Sequence, residues 1–280
     1  MNNTFDFKRF GFVFRKDFSE NGKRYLLLFL TMLGLMALLI TYPTWDYYSY
    51  DRIRDNLYHN RSLLQILSFI FFASGTWFAS TFSNPMNHKL KRLSYLISPS
   101  SNPEKFVVRW MITTIGFILA FFAALWIADL IRVTICSVVY PQVDIQFLDI
   151  TKLVYLKENS NSGEYVVPKF IFIILLSIYF LLQSIFLLGS TFWEKASFIK
   201  TFTAGAAISG AYILICRWAI FSFYDNLNGY NNVLSSFDVS DKYTDTQAIT
   251  FSAIIISAFT LTCWILAFFR MKESEIIKRL

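Results

Sequence analysis

Long apolar stretches alternate with short charged segments along nearly the whole chain of 280 residues. The six apolar stretches are Tyr25–Tyr42, Leu63–Phe82, Phe106–Leu130, Val166–Phe192, Phe198–Trp218 and Ala248–Phe269. Crossing about 30 Å of hydrocarbon takes ~20 helical residues, and each stretch is near or above that length. Because lipid offers no hydrogen-bond partners to the backbone, we expect each stretch to be a helix. The pattern predicts an all-α polytopic membrane protein with six transmembrane helices, in a single domain over residues 1–280.

Composition agrees with this class, since 55% of the residues are apolar and 31 are Phe, more than a soluble core of this size would bury. We expect the prolines in loops or at helix ends, because proline disrupts helix interiors; they stand at positions 43, 85, 99, 103, 141 and 168. The cysteines Cys136, Cys216 and Cys263 show no metal-ligand spacing. We interpret them as small hydrophobic residues and predict neither a metal nor a cofactor.

The basic residues predict the orientation in the membrane. Most of the 26 Lys and Arg fall in segments on the same side as the N-terminus, among them Lys23, Lys89, Lys195 and Arg270. The positive-inside rule therefore predicts both termini in the cytoplasm. We expect a multi-pass protein of the plasma membrane, which is the inner membrane in a bacterium. Because topology accounts for the net charge of +7, we expect no nucleic-acid partner.

Aromatic residues recur at helical spacing before the first apolar stretch, over residues 5–20. Phe7, Phe10, Phe14 and Phe18 lie on one helix face with basic residues around them. This pattern predicts an interfacial helix on the cytoplasmic side, with its aromatic residues in membrane lipid and its cations near the headgroups. A frayed tail with incidental Phe residues is the alternative.

Small residues form a patch in the fifth apolar stretch: Gly205, Ala206, Ala207, Ser209, Gly210 and Ala211. Small side chains spaced four apart, such as Gly205 and Ser209, let two helices approach closely in lipid. The patch predicts tight helix packing. The packing partner is either a second subunit or a helix of the same bundle, and the sequence favours neither.

Charged residues at membrane depth are functional candidates, and this chain has five at or near that depth: Arg109, Asp129, Arg132, Lys169 and Arg217. We interpret Arg109 as an inner interface anchor and Lys169 as the outer start of the fourth helix. Asp129 and Arg132, one helical turn apart, are expected to lie near the outer interface and to pair. We expect Arg217 to extend toward lipid headgroups, with a contact to Asp129 as the alternative.

The loop between the second and third stretches has the most distinctive sequence on the inner side. Leu90, Leu93 and Ile97 have helical spacing, and Pro99 ends the pattern. Signals that begin a new helix follow directly, namely Ser101, Asn102, Pro103 and Glu104. The loop therefore predicts a short amphipathic helix that faces the cytoplasm and is joined to the long third helix. Its expected contacts to a soluble partner are Lys89, Lys91, Arg92, Leu93, Ile97 and Glu104.

Two stretches carry a family resemblance. Tyr95-Leu96-Ile97-Ser98-Pro99-Ser100-Ser101, followed by Glu104-Lys105-Phe106, and the ending Phe268-Phe269-Arg270-Met271-Lys272-Glu273 resemble the permease subunits of type-2 ATP-binding-cassette exporters. The resemblance covers the layout of the whole chain, but at residue level only these stretches. It implies a coupling helix between helices two and three, a dimer, most simply a homodimer, and a separate cytoplasmic nucleotide-binding ATPase. No GxxxxGK[ST] loop is present, so ATP hydrolysis would need that separate subunit.

Two other function classes were weighed against transport. An intramembrane enzyme is disfavoured, because His59 and His88 are predicted on opposite sides and the sequence has no HExxH or GxSxG motif. We therefore predict no catalytic residues. A membrane anchor or accessory subunit without transport activity stays open, and the sequence names no substrate.

Overall fold

The computed structural model describes residues 6–49, 56–83, 100–142, 145, 147–148, 170–193, 195–224 and 245–277. Within these ranges the chain is helical and has no strand. The helices are α1 (Phe7–Ser49), α2 (Asn56–Ala79), α3 (Asn102–Met111), α4 (Phe117–Val139), α5 (Phe170–Phe192), α6 (Ser197–Tyr224) and α7 (Asp245–Ile277). A π-helical segment, Ile112–Gly116, joins α3 to α4. Asn102–Val139 is thus one continuous helical rod, called the central rod below.

Helix length and composition agree with a membrane protein. Among the described residues, five spans are long and apolar enough to cross a bilayer: Phe7–Tyr48, Asn102–Val139, Ile173–Phe192, Ser197–Trp218 and Thr250–Glu273. The apolar part of α2, Gln65–Ala79, is shorter. Large apolar side chains face outward along the bundle, for example Leu38, Phe69, Ile208 and Phe259, as expected where lipid is the solvent. The predicted all-α polytopic class is confirmed at this level; the six complete spans and the cytoplasmic termini stay predictions.

α1 is a single helix of 43 residues, about 65 Å long at 1.5 Å per residue. The sequence predicts an interfacial helix over 5–20 and a separate span from Tyr25, but the structure has no break between them. Side-chain hydrogen bonds bridge the expected boundary, because Asn21 Nδ2 donates to Asp17 Oδ1 (3.1 Å) and the Tyr25 hydroxyl donates to Asp17 Oδ2 (2.8 Å). Gly22 does not end the helix, since one helical glycine costs only about 1 kcal/mol relative to alanine. The interfacial position of residues 5–20 stays a prediction.

The prediction that prolines avoid helix interiors is wrong for Pro43, which lies inside α1. It stands near the end of the helix, and membrane helices tolerate proline when nearby groups take up the freed backbone. The carbonyl that Pro43 leaves without its donor is that of Leu39, whereas the buried hydroxyl of Thr44 donates to the Ile40 carbonyl at 2.8 Å. Pro103 is in the first turn of α3, and Pro141 follows the end of α4, as predicted.

Two clusters of buried side chains hold the bundle together. The first joins α1, α2, α4 and α5 around Met36, Leu67, Phe121 and Tyr179. In this cluster the Phe71 ring of α2 stacks on Tyr179, with ring centroids 4.4 Å apart. The second cluster lies where α2 ends, between α5 and α7, and consists of Ala79, Phe82, Phe186, Leu187, Ala267 and Met271. α2 and α5 therefore contribute to both ends of the packed core.

α6 lies at the edge of the bundle and packs chiefly against α5. The two helices approach closely at Gly189 of α5, which lies directly against the buried Thr201 of α6. The Ser197 hydroxyl at the start of α6 also donates to the Ser80 carbonyl beyond α2, at 2.8 Å. Few other side chains of α6 are buried, so this helix depends on a short contact line.

Replacing Gly189 with alanine should destabilise the α5–α6 contact, because the added Cβ would overlap Thr201 Oγ1 and lie 2.7 Å from its Cγ2. We expect a loss of about 1–3 kcal/mol, seen as a lower midpoint of thermal unfolding in detergent. Gly34→Ala is the matched control, because a Cβ there meets nothing within 4 Å. The control should unfold at or above the wild-type temperature. Equal midpoints for the two variants would contradict the close packing.

Candidate functional site

The predicted partner-contact segment lies between two described regions. Lys89, Lys91, Arg92, Leu93 and Ile97 fall outside the described residues, which end at Ser83 after α2 and resume at Ser100. Their contacts stay predictions. The structure does describe how both flanks of this segment are attached to the bundle.

Glu104 joins the start of the central rod to the start of α1. Its Oε2 accepts from the backbone N–H of Ser101 at 3.0 Å, the arrangement expected of an acidic residue one turn after an N-cap. Its Oε1 accepts from the backbone N–H of Asp6 at 2.9 Å and lies 3.2 Å from the Arg9 guanidinium. The Glu104 side chain is 0% exposed, and a buried carboxylate is tolerated only with such partners.

This placement refines the prediction for Glu104. The sequence predicts a polar contact to a soluble partner, whereas here the carboxylate is bound within the chain. Its role in this structure is to position two segments, α1 and the central rod, against each other. A direct contact from Glu104 to a partner stays a prediction.

Arg109 makes a second connection farther along the rod. Its Nε donates to the Phe82 carbonyl at 3.1 Å, and its NH1 lies 3.9 Å from Asp17 Oδ1. The Phe82 carbonyl follows the end of α2, where backbone acceptors lack helical partners. The sequence predicts an interface anchor, and the structure adds that Arg109, with only 11% of its side chain exposed, contacts α1 and the end of α2 together.

Five charged residues thus form what we call the basal cluster: Asp6, Arg9, Asp17, Glu104 and Arg109. The cluster contacts both flanks of the segment 84–99, at Phe82 and at Ser101. Each acid in it has a cationic neighbour, so the cluster is suited to holding helices together. A displacement of either flank would act on α1 as well as on the central rod.

Aromatic contacts attach α7 to the same end of the rod. Phe106 of α3 packs edge-on against Phe268, with centroids 5.4 Å apart, and Trp110 packs against Trp264 at 5.1 Å. The two stretches that carry the family resemblance therefore touch each other through Phe106 and Phe268. Beyond them, the Arg270 guanidinium lies 4.9 Å from the centroid of the Phe192 ring.

A buried polar contact at the π-helical segment was not predicted from the sequence. Gln183 Nε2 of α5 donates to Thr114 Oγ1 at 2.7 Å and lies 3.4 Å from the Thr113 carbonyl oxygen. Gln183 Oε1 has no hydrogen-bond partner among the described residues. A signal was present, because Gln183 is the one amide side chain in α5 and polar side chains in membrane helices commonly bond across helices.

At the opposite end of the rod the predicted pairing of Asp129 with Arg132 is confirmed. Arg132 Nε lies 2.7 Å from Asp129 Oδ1, and both side chains are buried. Asp129 Oδ2 also accepts from the backbone N–H of Leu148 at 2.9 Å. Leu148 and Ile145 are themselves buried, so the ion pair holds part of the following segment over this end of the bundle.

The other predicted charges are not brought into this network. Arg217 is exposed, and the alternative contact between Arg217 and Asp129 is not formed. Its extension toward headgroups stays a prediction. Lys169 lies outside the described residues.

The small-residue face of α6 is not packed within the described bundle. Gly205, Ala206, Ala207, Ser209 and Ala211 are exposed, and Gly210 is partly so. A Cβ at Gly205 or Gly210 would meet nothing within 4 Å. Of the two interpretations open from the sequence, packing inside the bundle therefore has no support among the described helices.

No cluster suited to metal chemistry is found in the described ranges, where no group of three His, Cys, Asp or Glu side chains converges. Comparison with protein-family models, with characterised proteins and with solved structures found no match to this chain. The family resemblance of the sequence stays a prediction.

Replacing Glu104 with alanine should destabilise the protein by about 2–4 kcal/mol, because Arg9 and two backbone N–H groups would lose a buried acceptor. Glu273→Ala is the matched control. Its ion pair with Arg270 has the same 3.2 Å separation but is exposed, so its loss should cost less than about 1 kcal/mol. Chemical unfolding followed by tryptophan fluorescence would measure both, and equal costs would contradict the buried role of Glu104.

Proposed function

We propose that this chain is the membrane-spanning permease subunit of an ATP-binding-cassette exporter, working as a homodimer with a separate cytoplasmic ATPase. In this proposal six helices span the membrane, both termini are cytoplasmic, and the segment 84–99 receives the ATPase. The observation that supports it best is the basal cluster. A segment that receives force is useful only if its flanks are held firmly by the helices that must move.

The two flanks meet this requirement in different ways. On one side, Arg109 donates to the Phe82 carbonyl at the end of α2. On the other, Glu104 accepts from Ser101 at the start of the rod and from Asp6 before α1. A push on the segment would thus move α1 and α3 as one unit. The ATPase would supply energy by binding one arrangement of the bundle better than another.

The π-helical segment offers a place for that movement to bend the rod. π-helical turns are less regular than α-helical turns and often mark functional positions. Gln183 holds this turn through Thr114 at 2.7 Å, and α5 is in turn packed on α7. Movement of α3 relative to α4 would therefore displace α5 first. At the far end, the Asp129–Arg132 pair would hold Leu148 against the bundle during that movement.

The proposed ATPase contact predicts a loss of association when the segment is altered. Leu93→Asp combined with Arg92→Glu should abolish co-purification of a nucleotide-binding subunit in mild detergent, because it removes an apolar anchor and reverses a charge. Ile199→Asp with Lys195→Glu is the matched control, placing the same changes on an exposed inner segment at the start of α6.

The readouts are the co-eluting proteins, identified by mass spectrometry, and their ATPase activity. The control should keep a stoichiometric ATPase subunit, and the first variant should insert in the membrane without one. Absence of any ATPase from the folded wild-type protein would contradict the proposal and support a non-transporting membrane anchor.

The homodimer is proposed through the small-residue face of α6, since that face is exposed and its small side chains permit close helix contact. In a variant with Cys136, Cys216 and Cys263 replaced by alanine, Ser209→Cys should give a disulfide-linked dimer in native membranes. Two cysteines must bring their Cα atoms within about 7 Å to bond.

Phe69→Cys in the same background is the control for random collision, because Phe69 is exposed on α2. It should stay monomeric on non-reducing gels. Equal cross-linking from Ser209→Cys and Phe69→Cys would contradict a specific α6 interface.

A further inference from the structure

A lateral groove runs between α1 and α2, with the central rod as its floor. Its volume is about 530 Å³, within the range of about 300–1,000 Å³ typical of small-molecule sites. Representative lining residues are Gly22, Leu26 and Phe29 of α1, Ser74 and Phe78 of α2, and Gly116 of the π segment. The proposed transport function makes no use of this groove.

The chemistry of the lining selects an apolar ligand. No charged side chain lines the groove, and each of its hydroxyl groups already donates a hydrogen bond. Tyr25 donates to Asp17 Oδ2 (2.8 Å), Thr31 to the Leu28 carbonyl (2.9 Å) and Ser74 to the Ile70 carbonyl (2.6 Å). A polar ligand would lose hydrogen bonds to water and find few partners in this lining in return. A hydrocarbon chain has no hydrogen bonds to water to lose.

The shape of the groove selects a long and narrow ligand. Along α1 the lining extends from Phe18 to Leu35, which is about 25 Å of helix at 1.5 Å per residue. One leaflet of a bilayer contributes about 15 Å of hydrocarbon, half of the usual core. A single acyl chain of that length would follow more than half of this groove, whereas a compact molecule would fill a smaller part of it.

A cation stands beyond the Phe18 end of the groove. Arg15 precedes Gly22, Leu26 and Phe29 by 7, 11 and 14 residues, which places it on the same face of α1. Its side chain is exposed and forms no ion pair with any described residue. Guanidinium groups bind phosphate oxygens in a bidentate way.

We propose that the lateral groove is a binding site for an anionic phospholipid, with one acyl chain along α1 and the phosphate held by Arg15. The lipid would be a resident ligand that fills the gap between α1 and α2. This proposal does not rest on the transport function, because the groove and the charge beside it belong to the bundle itself.

Photo-labelling in nanodiscs tests the acyl-chain part. The protein is reconstituted in phosphatidylcholine containing a small fraction of phosphatidylglycerol with a diazirine on its acyl chain, and labelled residues are mapped by mass spectrometry. We expect labelling of the wild type to concentrate on groove residues such as Thr31 and Ser74. Gly22→Phe should lower that labelling by about tenfold, the effect of losing about 1.4 kcal/mol of binding free energy.

Gly34→Phe is the matched control, because it lies on the same helix outside the groove and, as at Gly22, a Cβ there meets nothing within 4 Å. Both variants should elute as monodisperse protein, so a folding defect is separable from a blocked groove. Equal labelling of Gly22→Phe and Gly34→Phe, or labelling spread evenly around the bundle, would overturn the proposal and leave ordinary boundary lipid only.

The headgroup part is tested with the same probes. Wild-type protein should be labelled more strongly by the phosphatidylglycerol probe than by a phosphatidylcholine probe of the same chain length. Arg15→Gln should remove this preference, whereas Lys23→Gln, an exposed cation on another face of α1, should keep it. A preference that survives Arg15→Gln, or its absence in the wild type, would overturn the assignment of the phosphate to Arg15.

Discussion

A carboxylate removed from solvent needs hydrogen-bond or ionic partners. The two oxygens of Glu104 find theirs in segments that are far apart in sequence. One oxygen is bound by the start of its own helix and the other by Asp6 and Arg9 at the start of α1. In a bundle whose outer surface is apolar, apolar burial alone distinguishes poorly between helix arrangements, because lipid is equally apolar. Directional polar contacts at helix ends add specificity to the packing of the two buried clusters, and Arg109 makes a second such contact at the end of α2.

The class of fold was predictable from the sequence because membrane insertion is a property of composition and length. The N-cap signals from Ser101 to Glu104 and the Asp129–Arg132 pair were predictable for a similar reason, since they depend on residues within one helical turn. Contacts across helices were not. Nothing local indicates that Asp17 meets Arg109, or that Gln183 meets Thr114, because those meetings depend on how helices pack. The continuity of α1 was missed because the hydrogen bonds that Asn21 and Tyr25 donate to Asp17 across this region are not evident from the composition change near Gly22.

The central rod combines rigid attachment at its ends with an irregular turn between them. The basal cluster fixes the beginning, and the buried Asp129–Arg132 pair with Leu148 fixes the other end. Between them, Gln183 reaches the π-helical turn with one of its polar atoms, while Oε1 has no partner among the described residues. A buried amide with spare hydrogen-bonding capacity costs free energy in the packed state. Gln183 therefore binds this turn through one polar group and leaves the other unpaired among the described residues.

The unbroken length of α1 has a mechanical consequence. From Phe7 to Arg24 the helix has 18 residues before its apolar stretch, with about 25 Å between the first and the last at 1.5 Å per residue. Such a projection is a lever arm whose tip travels in proportion to its length. A tilt of only about 10° within the membrane would move its first turn by roughly 4 Å, which is somewhat less than the helical pitch of about 5.4 Å. Because Asp6 and Arg9 near that tip are bound to Glu104, the excursion would be shared with the central rod, converting a small rotation into a larger displacement at the surface.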